Sequence, residues 1–250
     1  MRLLVFLVLS SICGPVFADG KLSDNIRIFS DSLGYDLQYR VYEPEGMRRN
    51  SELPALYITD GQWYISRGEL PALLDGEIAA GNIEPVLVVF VDSRNPDNLQ
   101  QNRRNQQFFC NPRYVDFFTD ELLPTIDKEY PSSAMRDDRV ILGLSFGGRN
   151  SACFGLMAYD SFAGIAMQSP ANSEMMDELR FQYMAQEKLP LKFFMSVGTV
   201  NDNTQAGRQF METLKFQGYD LTYCEVNEGH DWDNWEPLLD DVLYTFFPTE

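Results

Sequence analysis

The sequence predicts an α/β fold: a mostly parallel central sheet, an antiparallel hairpin at its amino-terminal edge, and helices on both faces. Three observations predict it. A chain of 250 residues is long enough to bury one large core without disulfide or metal support. The short runs "LPALYIT", "EPVLVVFVD", "RVILGL", "FAGIAMQS", "LKFFMSVG" and "LTYCEV" are rich in branched or apolar residues. Most are separated by helix-length amphipathic segments, as in a parallel sheet covered on both sides. Ahead of them, "NIRIFSDSLGYDLQYRVYEPEG" alternates polar and apolar residues around a Ser-Leu-Gly turn, which predicts two antiparallel strands.

Taken in order, residues 1 to 18, "MRLLVFLVLSSICGPVFA", carry a basic Arg2, an apolar stretch from Leu3 to Leu9 and a small-residue exit at Val16 and Ala18. That pattern predicts a secretory signal cleaved after Ala18, with an uncleaved anchor as the alternative. Residues 19 to 250 then form a single domain, exported to the periplasm or medium. No later run is apolar for long enough to span a bilayer. After the strand-like "EPVLVVFVD", Ser93 to Gln107, "SRNPDNLQQNRRNQQ", reads as a long polar loop at the carboxyl edge of the sheet, where open α/β folds place their sites. From Tyr114 to Ile126, Phe117, Phe118, Leu122 and Ile126 recur at helical intervals, and Pro124 is expected to kink or end the regular turn. Trp235, Leu238, Leu239, Val242, Leu243 and Phe246 mark the buried face of a closing helix.

Composition excludes some functions. The formal net charge of −17 becomes −18 without residues 1 to 18, which carry one arginine and no acid. Such a surface repels nucleic acid and anionic lipid, and the acidity reads as a solubility trait. Once Cys13 leaves with the signal, Cys110, Cys153 and Cys224 remain, an odd number that forms no closed framework. Export permits one bridge, but Cys153 and Cys224 sit in a helix and a strand that read as packed, where single cysteines behave as small hydrophobes. No C-x-x-C spacing suggests a metal, and no cofactor is expected.

The chemistry is expected at Gly143-Leu144-Ser145-Phe146-Gly147. This is G-x-S-x-G set between the strand "RVILGL" and the helix-like "FGGRNSACFGLMAY", the setting of a nucleophile elbow. A serine hydroxyl needs a base, and the chain has one histidine. His230 follows the strand "LTYCEV", which puts it on the same sheet edge as Ser145. The third partner should be a carboxylate between them in sequence at another strand end, and Asp202 in "LKFFMSVGTVNDN" qualifies. A helix N-cap role for Asp202 or Asn203 is the alternative, and Asp231 is the fallback acid. For a tetrahedral oxyanion, the N–H of Phe146 would be joined by that of Gly61 or Gln62 in "LYITDGQW", although Asp-Gly is also an ordinary turn.

Taken together, "LYITDGQW", "NRRNQQFFCNPRYVDFFTDELLP", "GLSFGG", "QSPAN", "GTVND" and "GHDWDNW" resemble the putative-esterase family of α/β-hydrolases. That family includes enterochelin and other siderophore esterases, feruloyl and acetylxylan esterases, and S-formylglutathione hydrolase. The resemblance spans nearly all of the chain after residue 18. It implies the α/β-hydrolase fold and a Ser-Asp-His esterase mapping onto Ser145, Asp202 and His230. It also implies an oxyanion hole at Gly61 or Gln62 with Phe146. The chain departs from the pattern at Val200, an extra residue ahead of Asn201-Asp202, and at Gln107, where relatives carry an acid three positions after the arginine matching Arg104.

The substrate is expected to be a small-molecule or saccharide ester. Arg103, Arg104 and Arg113 form a basic group suited to an anionic substrate, and Trp63, Phe108, Phe109, Trp232 and Trp235 could stack on aromatic or sugar rings. Core packing and a solvated loop are the competing uses of these residues. Substrate contacts are expected from Trp63, Arg104, Trp232 and Trp235. A siderophore-type esterase is favoured over a feruloyl or acetyl-polysaccharide esterase, with a non-catalytic binding protein as the alternative of another class.

Overall fold

The computed structural model describes residues 20–47 and 51–249. The expected signal segment, and with it the choice between cleavage and anchoring, lies outside the described residues.

The strands are β1 (Lys21–Leu22), β2 (Ile26–Ser30), β3 (Tyr35–Glu43), β4 (Ala55–Thr59), β5 (Leu87–Asp92), β6 (Arg94–Asn95), β7 (Asn98–Asn102), β8 (Arg139–Leu144), β9 (Gly164–Gln168), β10 (Lys192–Gly198) and β11 (Asp220–Val226). The main sheet runs β1-β3-β5-β4-β8-β9-β10-β11, with β2 beside β1 along the same edge of β3. From β5 to β11 every pairing is parallel, and β3 joins β5 antiparallel. This is the predicted architecture, with its antiparallel opening at one edge.

The helices are α1 (Gly61–Ser66), α2 (Leu70–Ala80), α3 (Arg104–Gln107), α4 (Pro112–Asp116), α5 (Leu123–Glu129), α6 (Phe146–Met157), α7 (Ser173–Ala185), α8 (Thr204–Phe216), α9 (Trp232–Trp235) and α10 (Leu239–Phe246). They cover both faces, and strand alternation sorts the core accordingly. Ala55 and Tyr57 of β4 face the cluster under α4 to α8, which includes Phe118, Phe154, Tyr183 and Phe210. Leu56 and Ile58 face the cluster under α1, α2 and α10, which includes Tyr64, Leu74, Val242 and Leu243. A period of two in the strands therefore feeds two cores at once.

Two expectations need correction, and a third is met in a particular form. The regular turn breaks ahead of Pro124 as expected, but the helical segment continues: a π-helical stretch, Phe117–Leu122, joins α4 to α5, and the proline sits in the first turn of α5. Widening the turn there lets the chain pass a residue that has no N–H to donate. The polar segment 93–107 is not irregular, because β6 and β7 pair as a small antiparallel hairpin and α3 follows. Cys153 is not a lone hydrophobe. It bridges to Cys110, whose left-handed φ of 51° turns the chain after α3 toward α6, with the two Cα atoms 5.1 Å apart. Cys224 stays a free, half-buried thiol. Among the described residues no helix is long and apolar enough to cross a membrane.

The bridge spans a sequence separation of 43 residues, so it removes considerable freedom from the unfolded chain. Replacing Cys110 and Cys153 by serine is expected to lower the unfolding free energy by about 2–4 kcal/mol. Urea unfolding of the variant beside the oxidised protein measures this, and equal midpoints would count against it.

Candidate active site

Ser145 leaves β8 with φ 55° and ψ −121°, a strained backbone for any L-residue with a side chain. The flanking glycines explain how the elbow closes. A Cβ on Gly143 would run into the backbone of Gly147, and one on Gly147 would lie 2.9 Å from Thr59 Oγ1. The turn is held from the side as well, since the Ser145 N–H donates to the Gln168 carbonyl at 2.8 Å.

His230 stands in the turn between β11 and α9. Its Nε2 is 2.9 Å from Ser145 Oγ, and its Nδ1 is 2.5 Å from Asp202 Oδ1. An ionised carboxylate only accepts, so the ring proton sits on Nδ1 and leaves Nε2 to accept from the serine hydroxyl. Ser145, Asp202 and His230 are thus brought into one relay, from residues 28 and 85 positions away from the histidine.

Asp202 has no exposed side-chain surface. Besides His230, the Asn203 N–H donates to Oδ1 at 2.7 Å, while Oδ2 accepts from the Gly198 N–H at 2.5 Å, Ser169 Oγ at 2.6 Å and Asn234 Nδ2 at 3.2 Å. Burial opposes ionisation, but the bonds from His230, Ser169, Asn203 and Gly198 outweigh it, and the carboxyl lies below the ordinary aspartate value. The extra Val200 is absorbed in an exposed turn, where Asn201 takes a φ of 52°. The cap position of α8 falls on Asn203 and not on Asp202, without a side-chain bond, and Asp231 caps α9 by accepting from the Asp233 N–H.

The expected oxyanion donors open two helices. Gly61 and Gln62 begin α1, and Phe146 begins α6, so their N–H groups have no acceptor within the helix. Between the two helices lies Asp60, fully buried, accepting from Ser93 Oγ and from Arg104 Nε at 2.7 Å each. Burial pushes the Asp60 carboxyl up to about 6, against the opposing pull of Arg104 and Ser93. Arg104 is therefore turned inward, with 17% of its side chain exposed. Arg103 also bonds within the fold, donating to the Asp36 carbonyl, while Arg113 is exposed. Gln107, at the position of the family acid, is buried with Nε2 3.4 Å from the Tyr35 hydroxyl.

The expected substrate-contact tryptophans divide. Trp63 and Trp232 are half-buried, and Trp232 packs edge-on against Tyr64 and Trp235. Trp235 is only 6% exposed, lies edge-on to His230 at 5.0 Å and donates its indole N–H to Ser169 Oγ. It supports the relay from beneath instead of facing solvent. Among the described residues no cluster of His, Cys, Asp and Glu is arranged to hold a metal ion.

A family model described as "Putative esterase" matches residues 30–246. The chain belongs to the putative-esterase family. It stands with the carboxylic-ester hydrolases, and its fold is the α/β-hydrolase fold. It is 27% identical over 144 residues to an iron(III) enterobactin esterase of Yersinia enterocolitica, covering 58% of this chain and 39% of that protein. It is 25% identical over 235 residues to an endo-1,4-beta-xylanase/feruloyl esterase of Xylanibacter ruminicola, covering 89% of this chain and 31% of that protein. The enterobactin esterase of Shigella flexneri superposes with a TM-score of 0.79 at 21% identity, over 90% of this chain and 58% of that one. The chain spans less than two thirds of the length of each of these three relatives.

Sequence reasoning missed the layer behind Asp202. Ser169, at a φ of 44°, collects the indole N–H of Trp235 and the Asn234 amide while donating to Asp202. Gln168 links the same layer to Tyr64 and to the Trp235 carbonyl. The stretches "QSPAN" and "DWDNW" were visible, but no spacing rule says that they meet.

Ser169→Ala removes one donor from Asp202, so its carboxyl should rise toward the ordinary value and kcat should fall about tenfold. A depressed carboxyl gives stability that is present above the unfolded-state value and lost as pH falls through the folded one. In the variant that acid loss should therefore begin at higher pH, which urea midpoints measured between about pH 2 and 6 would reveal.

Proposed function

We propose that this member of the esterase family is an exported serine carboxylesterase in which Ser145 is the nucleophile, His230 the base and Asp202 the orienting carboxylate. The observation that carries the reading is the continuous relay from Ser145 Oγ through both ring nitrogens to a buried carboxylate. Ser145 Oγ attacks the ester carbonyl as His230 Nε2 takes its proton. The resulting oxyanion is held by the N–H of Phe146 together with that of Gln62 or Gly61. Collapse breaks the bond to the alcohol, which leaves with the proton from His230, and water then enters by the same steps to release the acid. The sequence needs neither metal nor organic cofactor. Export rests on the pattern of residues 1 to 18.

For the substrate we favour a siderophore-type ester, supported by the similarity to the iron(III) enterobactin esterase. A feruloyl or acetyl-polysaccharide ester is the second reading, favoured by the alignment to the xylanase/feruloyl esterase, which reaches over 89% of this chain. The inward bonding of Arg103 and Arg104 leaves recognition mainly to aromatic surface such as Trp63 and Trp232.

Ser145→Ala should reduce p-nitrophenyl acetate hydrolysis by at least about a thousandfold and abolish labelling by a fluorophosphonate probe. Unchanged turnover would refute the nucleophile. Parallel assays on iron(III) enterobactin and a feruloylated sugar are expected to show faster cleavage of the former, and the reverse order would transfer the assignment to the polysaccharide esterases.

A further inference from the structure

An oxyanion site made of two backbone N–H groups works only if two separate helices keep their first turns at a fixed spacing. Those helices follow β4 and β8, which pair as far as Ile58 and Leu142, and beyond that pairing side chains must hold the two first turns.

Asp60 and Arg104 occupy that junction. Asp60 follows β4 in a left-handed conformation, φ 58°, immediately before Gly61 and Gln62. It makes no side-chain cap on α1, so the usual use of an acid at this position is absent. Its Oδ2 reaches the elbow, since a Cβ added to Gly147 would lie only 3.6 Å from it. Gly61 is tighter still on its other side, where a Cβ would lie 2.5 Å from the Phe90 backbone of β5. The guanidinium of Arg104 lies 5.1 Å from the Trp63 ring, 5.6 Å from Phe146 and 5.6 Å from Phe108. Trp63 follows Gln62, and Phe146 is itself an expected donor. The segment bearing Arg104 is tied to α6 by the Cys110–Cys153 bridge and by Arg149 Nη1, which donates to the Phe108 carbonyl at 3.3 Å.

Resting on the esterase reading, we propose that Asp60 and Arg104 are positioning residues: their buried ion pair clamps the first turns of α1 and α6 together and sets the oxyanion site. Removing either partner leaves the other as an uncompensated buried charge, so the clamp fails from both sides. Arg104 thereby acts through Asp60 and the aromatic rings and does not bind the substrate's charge.

The clamp carries its own pH dependence. The Asp60 carboxyl, raised by burial to about 6, loses its charge as pH falls through that value. Arg104 faces it from α3, Asp92 and Arg94 from the end of β5 and the start of β6, and Tyr64 and Tyr114 from α1 and α4. Asp92 raises the carboxyl further, whereas Arg104 and the Ser93 hydroxyl hold it down. Activity should therefore lose the clamp's contribution on the acid side as Asp60 takes up its proton.

The test uses Asp60→Asn, Arg104→Gln, the double variant and Ser93→Ala, assayed on neutral p-nitrophenyl acetate with thermal melts to confirm folding. Asp60→Asn and Arg104→Gln are each expected to lower kcat about 10- to 100-fold with KM within about twofold, and to weaken a boronic acid inhibitor in parallel. The double variant should be no worse than either single, because both remove the same clamp. Asp60→Asn should remove the part of the acid-side fall in kcat/KM that follows protonation of Asp60. Ser93→Ala keeps the ion pair and serves if the others do not fold. It should shift the clamp's protonation to higher pH, because the carboxylate loses a donor. Folded variants with wild-type kcat overturn the clamp alone, as does a KM defect confined to anionic esters. A wild-type protein inert to the fluorophosphonate probe removes the esterase reading and the clamp with it.

Discussion

The interaction on which the rest depends is the burial of the Asp202 charge. A carboxylate without solvent is tolerable only if donors surround it, and here they come from four places: the end of β10, the start of α8, the turn after β9, and the segment carrying His230 and Asn234. Each donor fixes one of those segments relative to the others. The imidazole is one of these donors, so satisfying the charge and orienting the ring toward Ser145 are the same act.

The sheet makes this convergence possible. In a parallel sheet all carboxyl ends lie along one rim, so β4, β8, β9, β10 and β11 deliver their following turns to one place. The backbone records the crowding. Asp60, Ser145 and Ser169 directly follow β4, β8 and β9, which are adjacent in the sheet, and all three have positive φ without being glycine. Such conformations persist only where the surroundings over-determine them. Each of the three carries a polar side chain or hydroxyl that the strain aims inward, toward Arg104, His230 and Asp202 respectively.

The α3–α4 wall shows a different constraint. Its short helices have little internal stability, and their place is set by attachment to α6 through the disulfide and Arg149. That attachment places Phe109 against Phe146 and Arg104 beside Trp63, so the wall next to Ser145 is fastened to the helix that follows it.

The sequence by itself determined the order of the main-sheet strands from β2 onward, because hydrophobic periodicity is local, whereas the polar β6–β7 hairpin carries no such period. It also determined the elbow, because Gly143 and Gly147 flank Ser145 within five residues and steric need there is written in adjacent letters. His230 was legible as the chain's single histidine at a strand end. Only the tertiary structure decided that Cys153 faces Cys110, that Arg104 turns inward to Asp60, and that Trp235 and Ser169 stand behind Asp202. Those facts depend on which side chains meet across segments distant in sequence. An arginine, a cysteine or a tryptophan has the same letter whether it faces solvent or a buried partner, and burial is decided by packing over the whole domain.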